Sequence, residues 1–210
     1  IISYYLCILT ETFDQKIIMK FKTTFIIVAA MLMAACTGNT DLTSPDGGIN
    51  ISFSLSQDGI PHYQVSAYGQ AVINESALGL EAEQADLRQG FTITKVRHGG
   101  KDEQWEQPWG ENKVMRDNHR EMTVEMVNGQ GVKMTLRFKA FDDGIGYRYE
   151  YDATAVADSL TIIGDHTYFN FAQDGMSWSI GSYFSGYELP YREQAISATE
   201  NANTPFTFKM

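Results

Sequence analysis

The sequence has 210 residues, with 16 lysines and arginines against 26 aspartates and glutamates, which gives a formal net charge of −10. This acidity, without any cluster of basic residues, argues against a nucleic-acid partner, because phosphates require a basic face. A hydrophobic content of 43% and an aromatic content of 12% argue against disorder and indicate a folded domain with its own core.

The beginning of the chain has the layout of a bacterial export signal. Residues 1–18 contain no methionine and are interpreted as upstream over-read of the gene. A basic start follows at Met19–Lys22, then an apolar run, Phe25–Met33, that is too short to span a bilayer permanently, and then two alanines. The pattern over residues 19–35 therefore predicts a signal peptide and an exported protein.

Cys36 directly follows this signal. Met33–Cys36 resembles a lipobox, in which cleavage before the cysteine leaves its sulfur carrying a diacylglycerol, so we predict lipidation of Cys36 and membrane contact through that anchor only. An ordinary signal peptide that happens to contain a cysteine is the alternative. Residues 36–44 are polar and lack periodicity, which predicts a flexible leash. Since Cys7 is the other cysteine, residues 37–210 have no disulfide, cysteine zinc cluster or thiol nucleophile.

Apolar and polar residues alternate over most of the remaining chain, which is typical of half-buried strands. Ile49–Leu55 is apolar at every second position, Asp58-Gly59 predicts a turn, and Tyr63–Ala67 alternates back, so this region predicts a hairpin.

A second region predicts an antiparallel meander of three strands. The strands are Met122–Met126, Val132–Phe138 and Ile145–Tyr151, joined by turns at Asn128–Gly131 and Asp142–Gly144. Shorter candidate strands lie at Leu160–Ile163, Tyr168–Phe171, Trp178–Ile180 and the alternating end Phe206–Met210.

These patterns predict an all-β fold, a large antiparallel β-sandwich with at most short helical turns, because two amphipathic sheets bury their apolar faces against each other. Ser76–Leu87 has a weak helix pattern, which Gly79 interrupts. The final alternation, Phe206–Met210, stops in mid-strand. The domain at residues 45–210 is therefore expected to be incomplete at its C-terminal end.

Several catalytic classes lack their motifs in this sequence. No glycine-rich phosphate loop joins a strand to a helix, and no Gly-x-Ser-x-Gly nucleophile elbow occurs. Asp142-Asp143 is interpreted as a turn pair, because aspartate readily hydrogen-bonds nearby backbone. No catalytic residue is assigned, and the scattered histidines are interpreted as structural: His62, His98, His119 and His166.

The segment Trp105–Asn112 has a composition suited to sugars. Its two tryptophans, Trp105 and Trp109, could stack on the apolar C–H faces of a sugar ring, while the amides and carboxylates between them bind hydroxyls. From composition alone the favoured alternative is that both rings plug one end of the core.

Four motifs in order resemble the N-terminal domain of glycoside hydrolase family 97, and the resemblance covers about residues 44–210. The motifs are Trp105 with Pro108-Trp109-Gly110-Glu111, then Phe141–Glu150, then Tyr187-Glu188-x-x-Tyr191, and finally Glu200-Asn201-Ala202-Asn203-Thr204-Pro205. The start of the domain, which precedes these motifs, also fits the start of the family's N-terminal domain.

Members of that family are calcium-dependent α-glucosidases and α-galactosidases of Gram-negative bacteria, with an N-terminal sandwich of the super-sandwich type, a (β/α)8 barrel and a small C-terminal β domain. The resemblance implies α-linked oligosaccharides and the barrel of the intact chain as partners. Together with the lipid anchor predicted at Cys36, the Gram-negative source of the family predicts a location in the cell envelope, in the periplasm or at the outer membrane. The barrel would supply the catalytic carboxylates, so these 210 residues are not expected to be active alone.

The resemblance assigns two residues of the last motif. Glu200 stands at the position of the family's calcium-ligating glutamate, which implies one calcium ligand here and the others in the barrel. Asn203 could reach a sugar hydroxyl, with a turn-forming role as the alternative. Without the resemblance, Glu200 would be interpreted as an exposed loop acid.

Three functions therefore remain to be compared. The favoured one is a carbohydrate-binding N-terminal domain of an α-glycoside hydrolase, which contributes a calcium ligand and one wall of the active site. The alternatives are a free-standing carbohydrate-binding lipoprotein without hydrolytic activity, and a structural domain that only docks a partner domain.

Overall fold

A computed structural model describes residues 38–182, 186 and 188–210 of the chain. The predicted signal peptide, Cys36 and Tyr187 of the third family motif lie outside the described residues. Within the described part, no helix is long and apolar enough to cross a membrane. The one helical element there is a 3-10 turn at Ile196–Ala198.

The first sheet contains the predicted N-terminal hairpin. It has four antiparallel strands in the order β1-β2-β3-β4. Their bounds are Asp41–Thr43 for β1, Ile49–Leu55 for β2, Pro61–Ala67 for β3 and Gln70–Ala77 for β4.

The predicted leash at residues 36–44 was wrong over Asp41–Thr43. These residues form β1 and pair with β2, with Leu42 opposite Ile51. The reason is the one apolar side chain in the segment, since Leu42 is only 3% exposed and belongs to the core. Burying a leucine offsets the ordering of three otherwise polar residues.

The second sheet confirms the predicted meander and adds one strand to it. In chain order its strands are β7 (Phe91–Glu106), β8 (Val114–Asn128), β9 (Lys133–Phe141) and β10 (Gly144–Asp152). They are antiparallel, in the order β10-β9-β8-β7. β8 begins eight residues before the alternation that predicted it.

Two small sheets complete the described fold. The predicted helical turns at Ser76–Leu87 are wrong, because this segment contains strands. The predicted strand at Tyr168–Phe171 is also wrong, because this segment forms only the isolated bridge between Phe171 and Ile73. One sheet, in the order β11-β5-β6, is formed by β5 (Leu80–Ala82), β6 (Asp86–Leu87) and β11 (Ile162–Asp165). The other, in the order β13-β12-β14, is formed by β12 (Met176–Ser179), β13 (Arg192–Ala195) and β14 (Thr207–Lys209).

The core lies between the inner faces of the two four-stranded sheets. Phe53 of β2 meets Phe138 of β9 with ring centroids 5.9 Å apart, and Tyr63 of β3 meets Tyr147 of β10 at 5.4 Å. The inner residues of β8 and β9 are fully buried, as the alternation predicts. The fold is therefore the expected all-β, antiparallel sandwich.

Tyrosines form one margin of this core. Tyr147, Tyr149 and Tyr151 follow one another along the inner face of β10, beside Tyr63. The Tyr63 hydroxyl donates to the Tyr168 carbonyl at 3.1 Å. Burial raises the pKa of Tyr63 and of Tyr149 to about 12, and it also raises the pKa values of Tyr147 and Tyr151.

This tyrosine cluster predicts loss of stability in alkali. A tyrosine whose folded pKa is raised contributes fully below its unfolded value of 10.0, and that contribution is lost as the pH rises toward about 12. We expect the free energy of unfolding to fall between pH 10 and 12, as measured by urea titration. Tyr151→Phe should reduce this fall and leave neutral-pH stability unchanged or higher, because in the described structure its buried hydroxyl has no hydrogen-bond partner. A stability that stays flat to pH 12 would contradict the expectation.

Candidate functional site

The predicted sugar-binding segment lies at the tip of a hairpin that extends past the second sheet. Arg120 of β8 is the first residue with partners on both sides, Gly100 on β7 and Ala140 on β9. Before it, β8 pairs with β7 alone, out to Glu106 opposite Val114. The hairpin arm, defined as Gly100–Arg120, is about 20 Å long at ~3.3 Å per residue.

Local hydrogen bonds close the tip of the arm. The Gln107 N–H donates to the Lys113 carbonyl, and the Gln107 side-chain amide donates to the Asn112 carbonyl, both at 3.0 Å. Gly110 has a φ of 107°, a conformation that other residues rarely adopt. The tip is therefore a defined loop rather than a loose connection.

Ion pairs support the two strands of the arm. Arg116 donates to both carboxylate oxygens of Asp102, at 2.8 and 2.7 Å, and this hydrogen bonding lowers the pKa of Asp102. Lys113 and Glu106 form a second pair at 3.2 Å. Because these groups face solvent, salt should weaken both pairs.

Both tryptophans of the arm face solvent, so the favoured alternative that they plug the core is wrong. Trp109 is 81% exposed and Trp105 is 47% exposed. Among the described residues the arm is a two-stranded extension beyond the sandwich, which leaves the ring at its tip largely uncovered. Exposed rings beside Gln107 and Asn112 are the arrangement that a sugar-stacking surface needs.

Glu200 and Asn203 lie in a different part of the fold, beside the sheet β13-β12-β14. Glu200 is exposed in a bend and Asn203 is half-buried. The backbone on either side is fixed, because the Thr199 hydroxyl contacts Gln194 and Ser177 at 3.0 and 3.2 Å, and the Asn203 N–H donates to the Ile180 carbonyl at 2.9 Å. The segment thus presents a carboxylate from an anchored turn.

The histidine within the arm is structural, as predicted. His119 is 4% exposed, with Nδ1 2.5 Å from an Asp117 carboxylate oxygen and its ring 5.2 Å from that of Phe141. Asp142 also has a structural role, since its carboxylate accepts the Asp46 N–H at 2.9 Å and ties the β9–β10 turn to the turn before β2.

The family described as Glycosyl-hydrolase 97 N-terminal matches residues 42–210. The chain belongs to this family. The family 97 match covers all four quoted motifs and all of the four sheets except Asp41, and Tyr187 of the third motif is outside the described structure.

Solved structures agree with this family 97 membership. A Glycoside Hydrolase Family 97 enzyme from Pseudoalteromonas sp. strain K8 is 37% identical to this chain, with a TM-score of 0.76. Its solved structures include a variant in complex with panose, a second variant, and a complex with acarbose. Each comparison covers 80% of this chain but 26% of that enzyme. A β-arabinopyranosidase, at 20% identity and a TM-score of 0.66, shows a similar fold. The chain spans about a quarter of the length of these proteins.

In the part of the family 97 domain that the structure describes, no group of three or more His, Cys, Asp or Glu residues is placed to hold a metal ion. Glu200 is thus not joined there by further ligands. The donor itself fits calcium, which prefers hard carboxylate oxygens, but one carboxylate is far short of six to eight ligands.

The domain also has an apolar cleft of about 630 Å³ between the first sheet and the turn that leads into β10. Phe171 is part of its lining, with its ring 4.5 Å from that of Phe208 and 6.3 Å from that of Phe206. Phe169, also in the lining, is 54% exposed. Apolar surface of this kind commonly contacts another protein surface.

The exposures of the three tryptophans predict how their fluorescence is quenched. Trp109 is the most exposed, Trp105 is intermediate and Trp178 is half-buried. We expect Trp109→Phe to lower the acrylamide quenching constant of the total emission, because it removes the most accessible ring. The matched control, Trp178→Phe, should leave the constant equal or higher. Equal constants for the Trp109→Phe protein and the parent would contradict the described position of the arm.

Proposed function

We propose that this domain is the carbohydrate-binding N-terminal part of an α-glycoside hydrolase, an α-glucosidase or α-galactosidase. Family membership supports the enzyme class, and the relatives solved with panose and acarbose support α-linked oligosaccharides as ligands. A (β/α)8 barrel needs eight helices, and the described residues contain only a 3-10 turn. The catalytic carboxylates of the proposed enzyme would therefore come from another part of the full-length protein.

The observation that carries the binding role is the exposure of Trp109 at the tip of the arm. A sugar presents an apolar C–H face and a rim of hydroxyls, and Trp109 with the amides of Gln107 and Asn112 complements both. Asn203 is a second proposed contact to the sugar, and it lies beside the sheet β13-β12-β14, whereas the arm belongs to the sheet β10-β9-β8-β7. One open stacking surface predicts weak binding, in the millimolar range, because little of the sugar is buried.

The proposed metal role belongs to Glu200. Its exposed carboxylate on an anchored turn would supply one oxygen to a calcium ion whose other ligands come from the barrel. In that position Glu200 would form part of one wall of the active site. The apolar cleft supports contact between this domain and the barrel, since such a contact would cover Phe169 and its neighbours.

The N-terminal segment adds a cellular location to the proposal. The signal at residues 19–35 and Cys36 support export and a lipid anchor in the envelope of a Gram-negative bacterium. The second candidate function, a free-standing carbohydrate-binding lipoprotein, is favoured by one observation. The arm that carries Trp109 needs no group from the Glu200 segment to present its ring.

Sugar titration tests the binding role. We expect maltopentaose, added to the 210-residue chain at 1–20 mM, to change the tryptophan emission with a saturable curve. Trp109→Ala should weaken binding at least tenfold, because it removes the stacking ring. The matched control, Trp178→Phe, should leave the affinity unchanged. An emission that stays constant up to 20 mM sugar would remove the carbohydrate-binding role.

Calcium binding by the full-length protein tests the metal role. We expect Glu200→Gln to weaken calcium at least tenfold in calorimetric titration, because the substitution keeps the shape of the side chain and removes its charge. Glu188→Gln, at another exposed glutamate, is the matched control and should bind like the parent. Equal calcium affinities of the Glu200→Gln protein and the parent would contradict the role of Glu200. If the parent still hydrolyses α-glycosides in that case, the enzyme assignment stands and only the metal role fails.

A further inference from the structure

The outer face of the second sheet differs in charge from the rest of the chain. Strand alternation places an excess of positive charge on this face, although the whole sequence carries a net charge of −10. Outside the arm, the basic residues of this face are Lys95, Arg97, Lys133, Arg137, Lys139 and Arg148, and the acidic ones are Glu121, Glu125, Glu150 and Asp152; the arm adds Lys101, Glu103 and Asp117.

Gly146 makes a dent in this face. The strand register aligns one row of outer residues across the four strands, from Gly146 through Lys139 and Glu121 to Gly99. A Cβ atom added at Gly146 would meet no atom within 4 Å, so the space above it is open. The resulting cleft has a volume of about 340 Å³. Its lining consists of Gly146, Tyr147, the carboxylate of Glu121 and the basic side chains of Arg137, Lys139 and Arg148.

Two of the three cations are held in place by Glu150. Its carboxylate accepts from Arg137 Nε at 2.7 Å and lies 2.5 Å from Arg148 Nη2. The hydrogen bond from Arg137 is the main reason that the pKa of Glu150 lies below its usual value. Arg137 also reaches Glu121, at 3.5 Å. The guanidinium groups are therefore positioned before any ligand arrives, which lowers the cost of ordering them on binding.

The third cation, Lys139, takes part in none of the ion pairs within 4 Å between described residues. The other carboxylate that it influences, Asp117, is hydrogen-bonded to His119. Three cations and the carboxylate of Glu121 line the cleft, and the carboxylates of Glu150 and Asp117 lie beside these cations. The lining of the cleft thus carries more positive than negative charge on an acidic protein, which favours an anionic ligand.

We propose that the Gly146 cleft binds a small anionic ligand, with Lys139 and Arg148 on its acid group and Glu121 on a hydroxyl. The cleft has the volume of a small-molecule site and offers both cationic donors and a carboxylate acceptor. A sugar acid has this combination of groups, and an inorganic oxyanion shares its charge. The proposal does not rest on the function proposed above, because the cleft shares no residue with Trp109, Asn203 or Glu200.

Two glycines provide a matched pair of variants. Gly146 and Gly99 occupy opposite ends of the same outer row, both open above the Cβ position and neither with a positive φ. Leucine is therefore sterically tolerated at both positions, but only Gly146→Leu fills the cleft. In calorimetric titration of the 210-residue chain with galacturonate at 20 mM salt, we expect Gly146→Leu to weaken binding at least tenfold. The Gly99→Leu protein should bind like the parent, with both melting temperatures near that of the parent.

A charge pair gives a second measurement that does not depend on the cleft being filled. Lys139→Gln should weaken galacturonate at least fivefold, while Lys133→Gln, on the same strand beside Asp152, should not. Neutral galactose is expected not to bind at this site. Competition by sodium sulfate would support the anion site and assign it to oxyanions in general, whereas its absence would support a sugar acid. No galacturonate binding up to 20 mM, equal binding of galactose, or equal loss in the Gly99→Leu protein would overturn the proposal.

Discussion

The packing of β2 and β3 against β9 and β10 is the interaction on which the rest of this domain depends. Phe53 and Tyr63 on one sheet meet Phe138 and Tyr147 on the other, and the inner side chains of β8 and β9 have no exposed surface. Each buried side chain of this size stabilises the folded state by ~1.5–3 kcal/mol. No disulfide is available in this region, so hydrophobic burial has to offset most of the chain entropy lost on folding.

The arm begins where the packing between the two sheets ends. The inner face of β8 is buried only as far as another sheet faces it, and before Arg120 the strand has β7 as its single neighbour. An isolated two-stranded hairpin is marginally stable in water. The bidentate Asp102–Arg116 pair and the closed Gln107–Lys113 loop compensate for part of the missing core. The same lack of a facing sheet leaves Trp109 exposed, so the arm joins modest stability with an accessible ring.

The sequence predicted the long strands whose inner face keeps a strict period of two. It missed β4 and β7, in which that period is interrupted, and the short strands β1, β5, β6 and β13. In β7 the register shifts between Ile93 and Lys95, so the apolar residues Ile93 and Val96 stand three positions apart. In β4 the register also shifts, and the buried residues Ile73 and Ser76 are again three apart, which is closer to a helical period than to that of a strand. Local periodicity cannot detect such strands, because the pairing partner decides where the extra residue goes.

The same reasoning applies to the candidate sites. Composition identified Trp109 but favoured a buried ring, since a single sequence does not indicate that β7 and β8 extend past β9. The Gly146 cleft has no local signal either, because only the register places Gly146 beside Lys139 and Glu121 on neighbouring strands. Glu200 came from the family resemblance alone, and the structure adds that its backbone is anchored at Thr199 and Asn203. An anchored single carboxylate would suit the proposed shared calcium shell, because its position would be fixed before the other ligands are added, while one carboxylate alone binds the ion too weakly to hold it.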